Sequence, residues 1–197
     1  LQHRTRNLLG VVRNIGDRTA RGVASLNDFL PVFRERLGAL SRINALLSKL
    51  EQGERVTFDE MISTELRARG ALGDEMSARV TLQGPAGVRL RSATIQTFAL
   101  AIHELTTNAV KYGALASETG QLTVRWRVTS GEGNGKRLCV EWAESGVPNM
   151  PAPDAPPKGS GYGRELIERA LPYQLKAETT YAFAPDGVRC TINVPLG

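Results

Sequence analysis

The sequence predicts an α+β protein: an N-terminal antiparallel helical hairpin, then a domain in which helices pack on one side of a mostly antiparallel sheet. Three observations predict it. Up to Leu50, apolar residues recur at steps of three and four. From Leu122 to Val194, short runs alternate apolar and polar residues and are broken by Gly, Pro and Asp. Between the two lies an apolar stretch of helical period, from Ser92 to Tyr112.

The elements follow in order. Leu1 to about Arg21 reads as a helix with Leu1, Leu8, Val11, Val12 and Ile15 as its stripe. Asn27 or Asp28 can cap the second helix, with Pro31 tolerated in its first turn. Phe29, Phe33, Leu37, Leu40, Ile43, Leu47 and Leu50 form its stripe. A hairpin of about 50 residues buries too little to stand alone, so this stripe needs a second copy or the rest of the chain. Gln52-Gly53-Glu54 is the expected break. Thr57 and Glu60 have capping-box spacing, opening a helix to about Arg69. Ala78 to Leu82 reads as a strand ended by Gly84-Pro85. After the central helix come strands at Leu122 to Val128 and Arg137 to Trp142, then a loop over 145–158 with five prolines, expected to move. Gly161 to Leu171 reads as a helix, and Ala177 to Phe183 with Val188 to Val194 as a hairpin.

Composition narrows the function classes. The 197 residues hold one medium domain or two small ones, and 41% apolar content suits a globular core. No run is long and apolar enough to span a bilayer, and no signal peptide is visible, so the expected compartment is the cytoplasm. A net charge of +5 fits an anionic ligand or an acidic protein partner. The basic residues are scattered and aromatics are few, so nucleic acid is not the expected partner. Cys139 and Cys190 lie in strand-like runs without metal-ligand spacing and are expected to be buried as small hydrophobes. The chain does not begin with Met and starts in what reads as mid-helix; it is expected to be a fragment whose upstream sensor is missing.

The chemistry centres on His103-Glu104-Leu105-Thr106-Thr107-Asn108-Ala109-Val110-Lys111-Tyr112-Gly113. Ile95, Phe98, Ile102, Leu105, Ala109 and Tyr112 make one helical face; Glu104, Asn108 and Lys111 project from a neighbouring one. A buried helix has no structural need for that trio. Asn108 offers a hard oxygen to Mg2+, and Lys111 can neutralise phosphate. The bland alternative is an amphipathic core helix with polar caps. The stretch resembles the N box of the HWE group of histidine kinases, named for a His in this box and a Trp-x-Glu further on, which Trp142-Ala143-Glu144 supplies. His3-Arg4-Thr5-Arg6-Asn7 resembles the phosphoacceptor box of that group, and Lys158-Gly159-Ser160-Gly161-Tyr162-Gly163-Arg164 resembles its G2 box.

The resemblance implies a helical dimerisation and histidine phosphotransfer domain over 1–52 and a Bergerat-type (GHKL) α/β sandwich that binds ATP over 56–197. It implies autophosphorylation of His3 from Mg-ATP, then transfer to an Asp of a response regulator receiver domain. The hairpin stripe makes a homodimer through the N-terminal helices the default, although some members of the group resemble monomers with that stripe folded against their own domains. An imidazole nitrogen is a competent nucleophile toward a γ-phosphoryl group. Asn7, one turn from His3, can orient the ring; Arg4 stands where many histidine kinases have an acid, which leaves the base unassigned. Glu104 is implied to assist Mg2+ or the attacking imidazole. Glu144 fills the position of the adenine-binding carboxylate, and Gly146 beside it lets the base approach the backbone. Trp142 is as readily plain core. Gly159, Gly161 and Gly163 precede a helix, so backbone N–H groups converge on an anion, and Arg164 can meet the β- and γ-phosphates. Tyr112 is expected with the nucleotide-binding residues. His103 is expected to pack or hydrogen-bond. Two other classes remain: a phosphotransfer or regulator-binding module that keeps the shape without catalysis, and an ATPase or Ser/Thr kinase, which leaves the His3 hairpin unexplained.

Overall fold

Five strands form one sheet in the order β1-β2-β3-β5-β4. They are β1 (Val80–Gln83), β2 (Gln121–Ser130), β3 (Lys136–Ser145), β4 (Glu178–Ala184) and β5 (Gly187–Pro195). β1 runs parallel to β2; the other neighbours are antiparallel. The computed structural model describes residues 2–51, 55–73, 76–131, 135–148, 150 and 162–196, without the side chains of 2–8, 50, 51, 92 and 93.

Strand alternation decides which residues reach the core. On β3, Leu138, Val140, Trp142 and Glu144 are buried on one face. Their partners across the ladders, Val124 and Cys190 beside Trp142 and Leu122 beside Glu144, are buried too. Glu144 is therefore the polar end of an apolar row. The opposite face carries exposed pairs such as Arg127 with Glu141, as expected for a sheet covered on one side.

The covering helices are α3 (Phe58–Ala68) and α4 (Ser92–Lys111), with α5 (Tyr162–Glu165) leading through a π-turn at Leu166–Ala170 into α6 (Leu171–Leu175). Thr57 and Glu60 form the expected capping box on α3. Phe58 stacks on Phe98 of α4 at 5.6 Å and meets Trp126 of β2 edge-on at 5.2 Å, which ties both helices to the sheet. The π-turn runs up to Leu171-Pro172, where the proline has no N–H to continue the helical ladder. Lys176, at φ 52°, ends α6.

The N-terminal hairpin is α1 (Gln2–Arg21) and α2 (Leu26–Glu51). Its second helix is capped by Ser25, not by Asn27 or Asp28. The Ser25 hydroxyl accepts from the Asp28 N–H at 3.2 Å and donates to the Asp28 carboxylate at 2.6 Å. Ala39, Leu40, Ile43, Leu46 and Leu47 of α2 are buried in the common core, and α2 packs along α4. Of the two covers the stripe allows, this structure has its own chain.

Other departures are local. Ser77–Arg79 form a 3-10 turn, so β1 starts at Val80. Helix α4 stops at Lys111, and Tyr112 leaves the apolar face and is 61% exposed. The Gln52-Gly53-Glu54 break and most of the proline-rich loop lie outside the described residues. Cys139 and Cys190 are free; Cys190 is buried, with its thiol pushed up to about 12 by burial, whereas Cys139 is only half-buried. Among the described residues, no helix is long and apolar enough to cross a membrane.

Candidate nucleotide site

A cavity of about 740 Å³ opens between α2, the C-terminal half of α4, the end of β3 and the start of α5. It is lined by Glu104, Asn108, Lys111, Tyr112, Glu144, Gly163 and Arg164, which come from three separate motifs of the sequence. A larger cavity of about 980 Å³ lies between α1, α4 and α5-α6 and contains none of these residues, so size alone does not locate the chemistry.

Helical period places Glu104, Asn108 and Lys111 in one file along α4, facing the cavity. Asn108 lies under α5: a Cβ at Gly163 would sit 2.8 Å from Glu104 Cβ and 3.5 Å from Asn108 Nδ2. Glycine at 163 thus lets α5 close on α4.

Glu144 is 1% exposed, and each oxygen of its carboxylate accepts one hydrogen bond. Trp142 Nε1–H donates to Oε1 at 3.0 Å, and the Ala114 backbone N–H donates to Oε2 at 2.8 Å. Each oxygen keeps a lone pair for a ligand donor. Burial raises the Glu144 pKa above the usual carboxylate value, against these two hydrogen bonds and the Arg189 charge. A Cβ at Gly113 would lie 2.0 Å from Glu144 Oε2, so only glycine passes there.

The structure also shows partners that the sequence reading lacks. Arg36 of α2 donates to both oxygens of Glu104, at 2.8 and 3.3 Å, and to Thr19 Oγ1 at 2.8 Å, with its guanidinium 4.4 Å over the Tyr162 ring. Glu35, the preceding residue, holds Lys111 Nζ at 2.9 and 3.1 Å and Arg69 at 3.4 Å. His103 is buried; its Nδ1 lies 3.1 Å from Glu65 Oε2 and its Nε2 3.2 Å from Arg69. Its Nδ1 also lies 3.4 Å from Arg42 Nη2, so the ring sits among Glu65, Arg42 and Arg69. This gives His103 the hydrogen-bonding place expected for it.

His3 and Asn7 lie on α1, with their side chains outside the described set. Gly159 and Gly161 lie outside the described residues, as does Lys158. Gly146 has φ 71°, and a Cβ there would meet Thr119 O at 3.0 Å; it packs on that turn and does not line the cavity. Arg164 pairs with Glu168 at 2.9 Å while lining the cavity. Trp142 and Glu144 were recoverable as a pair, because i and i+2 on a strand share a face. Glu35, Arg36 and Glu65 carried no signal: each is an ordinary polar helix position until its helix is docked.

Mg2+ fits the donors present. Asn108 and Glu104 supply an amide oxygen and a carboxylate on one wall, enough for an ion that completes its shell with phosphate and water. The Thr107 hydroxyl, in the same wall, has no partner among the described residues. Among the described residues no group of three or more His, Cys, Asp or Glu could hold a metal ion.

Residues 1–86 match the family described as HWE histidine kinase. A blue-light-activated histidine kinase of Brucella ovis is 30% identical over 196 residues, covering 100% of this chain and 38% of that protein, so the chain spans well under half of this relative's length. Among solved structures, the Erythrobacter litoralis EL346 blue-light activated histidine kinase aligns with TM-score 0.57 at 21% identity, covering 97% of this chain and 59% of that one. The histidine kinase domain of the same EL346 protein aligns with TM-score 0.50 at 18% identity over 97% of this chain and 94% of that chain.

Proposed function

The chain belongs to the HWE histidine kinases, and on that footing we propose that it is a kinase core which charges His3 from Mg-ATP and passes the phosphoryl group to an Asp of a response regulator receiver domain. Residues 1–52 act as the dimerisation and phosphotransfer part, and 56–197 as the ATP-binding part. One observation carries the reading: α4, β3 and α5 bring Glu104, Asn108, Glu144 and Gly163 to a single cavity.

The roles follow from the donors. Glu144, steadied by Trp142 and Ala114, accepts the adenine amino N–H. Asn108 and Glu104 offer oxygens to Mg2+, which when bound neutralises phosphate charge. Lys111 and Arg164 line the cavity and meet phosphate charge, with Gly159, Gly161 and Gly163 offering backbone N–H groups. An imidazole nitrogen of His3 bonds to the γ-phosphorus, the bond to ADP breaks, and the imidazole proton leaves to solvent or to a base. Asn7 orients the ring. The exposed Leu9, Leu26 and Leu30 of the hairpin are the apolar surface left for a second copy.

Calorimetric titration with Mg-ATP tests the site. One nucleotide per chain is expected, and Asn108→Ala should weaken it about tenfold, the loss of one good ligand interaction. The loss should shrink when EDTA removes Mg2+. A chain that takes up no nucleotide contradicts the kinase reading and favours the regulator-binding module.

A further inference from the structure

We propose that the consecutive residues Glu35 and Arg36 of α2 are an internal stand-in for the metal-polyphosphate group, so that the seated hairpin and Mg-nucleotide compete for one site. The proposal rests on the nucleotide-binding reading above and adds a regulator to it.

Charge order is the main observation. On α4, Lys111 is the cation that would take a phosphate and Glu104 the carboxylate that would take the metal. The hairpin supplies the opposite charge to each. The Glu35 carboxylate holds Lys111 through both oxygens, and the Arg36 guanidinium holds Glu104 through two nitrogens. All four side chains line the same cavity. A bidentate guanidinium-carboxylate pair leaves Glu104 poorly placed to approach a metal ion.

The pair is also too well built to be an incidental surface contact. Arg36 is 4% exposed and is further held by Thr19 and the face of Tyr162. Glu35 is braced by Arg69, which lies 3.2 Å from His103 Nε2, while His103 Nδ1 lies 3.1 Å from Glu65. Arg42 of α2 closes the set on Glu65 at 3.1 and 3.0 Å. Histidine 103 thereby acquires a place in the device. It fixes Arg69, and Arg69 fixes the anion that occupies Lys111.

The consequence is a linkage. Nucleotide that claims Glu104 and Lys111 must release Arg36 and Glu35, so binding lifts α2 from α4. Apparent nucleotide affinity is lowered by the fraction of chains whose hairpin is seated. A purely structural set of ion pairs would show no such coupling.

The test compares the full chain with Glu35→Gln/Arg36→Met, titrated with Mg-ATP by calorimetry. Competition predicts binding tightened about tenfold, as expected when a seated state populated some nine to one is abolished. It also predicts that the non-hydrolysable analogue Mg-AMPPNP speeds amide hydrogen exchange in α2 of the unmodified chain, and adds nothing in the double variant. Where the double variant lacks a cooperative unfolding transition, Glu35→Gln alone, at a half-exposed position, serves with the same expectation in a smaller amount. Affinity unchanged or weakened in a folded variant overturns the competition while leaving the kinase reading intact. Absence of nucleotide binding in every chain overturns both.

Discussion

Replacing Glu65 by glutamine is expected to lower unfolding stability by about 1–3 kcal/mol, the cost of leaving buried hydrogen-bonding groups mismatched beside a half-exposed guanidinium. The Glu65 side chain is 2% exposed and takes Arg42 through two bonds and His103 through a third. A neutral amide in its place leaves the Arg42 guanidinium without its counter-charge, and its NH2 group opposes one of the donors. The acid response follows from the same geometry. Burial pushes the Glu65 pKa up, but the hydrogen bonds and charges of His103 and Arg42 outweigh it and hold the group below 4.5. A carboxylate depressed in the folded state contributes stability that is present above its unfolded pKa and is lost as pH falls through the folded value. Urea unfolding at neutral pH and at pH below 4.5 checks both: the gap between the unmodified chain and Glu65→Gln should narrow in acid. An equal gap at both pH values would show that the carboxylate charge is not what matters.

Replacing Glu144 should damage both folding and binding, and here glutamine should be almost as harmful as alanine. Two donors, Trp142 Nε1–H and the Ala114 N–H, meet the two oxygens, one each. Alanine strands both donors, at about 1–3 kcal/mol for each buried group left unsatisfied. Glutamine satisfies one and turns an NH2 toward the other. Loss of the acceptor for the adenine amino group should weaken Mg-ATP by roughly tenfold to a hundredfold, the worth of a charge-assisted hydrogen bond. Affinity for Mg-ITP, which has no amino group there, should fall much less. Trp142→Phe removes the indole N–H and leaves a cavity where the larger ring stood, so it should reproduce part of the binding loss together with a stability loss of about 1–3 kcal/mol. Glu144→Gln that binds Mg-ATP as well as the unmodified chain would dismiss the adenine role.

The sequence shows much of this fold and less of the site, for identifiable reasons. Periodicity is a property of one element, so α1, α2, α4 and the strands of the sheet could be read along the chain. The file Glu104, Asn108 and Lys111 could be read for the same reason, since all three ride on α4. Glu144 was legible as a carboxylate at the end of an alternating run, and its burial follows from Leu138, Val140 and Trp142 before it. What could not be read depends on how elements dock. Arg36 meets Glu104 across 68 residues of chain, and His103 meets Glu65 across 38, so no local pattern encodes either pair. Tyr112 was misplaced because helical period was carried one residue past Lys111, where the helix stops. Ser25 was missed as the cap of α2 because Asn27 and Asp28, equally good capping types, stand two and three residues further on.

The central claim is that this chain moves phosphate from ATP to an imidazole. Incubation with Mg2+ and γ-labelled ATP, followed by mapping of the labelled residue, tests it most directly. The expected result is acid-labile, alkali-stable label on His3, absent from His3→Ala. Label that persists in His3→Ala, or that is acid-stable on serine or threonine, would contradict it.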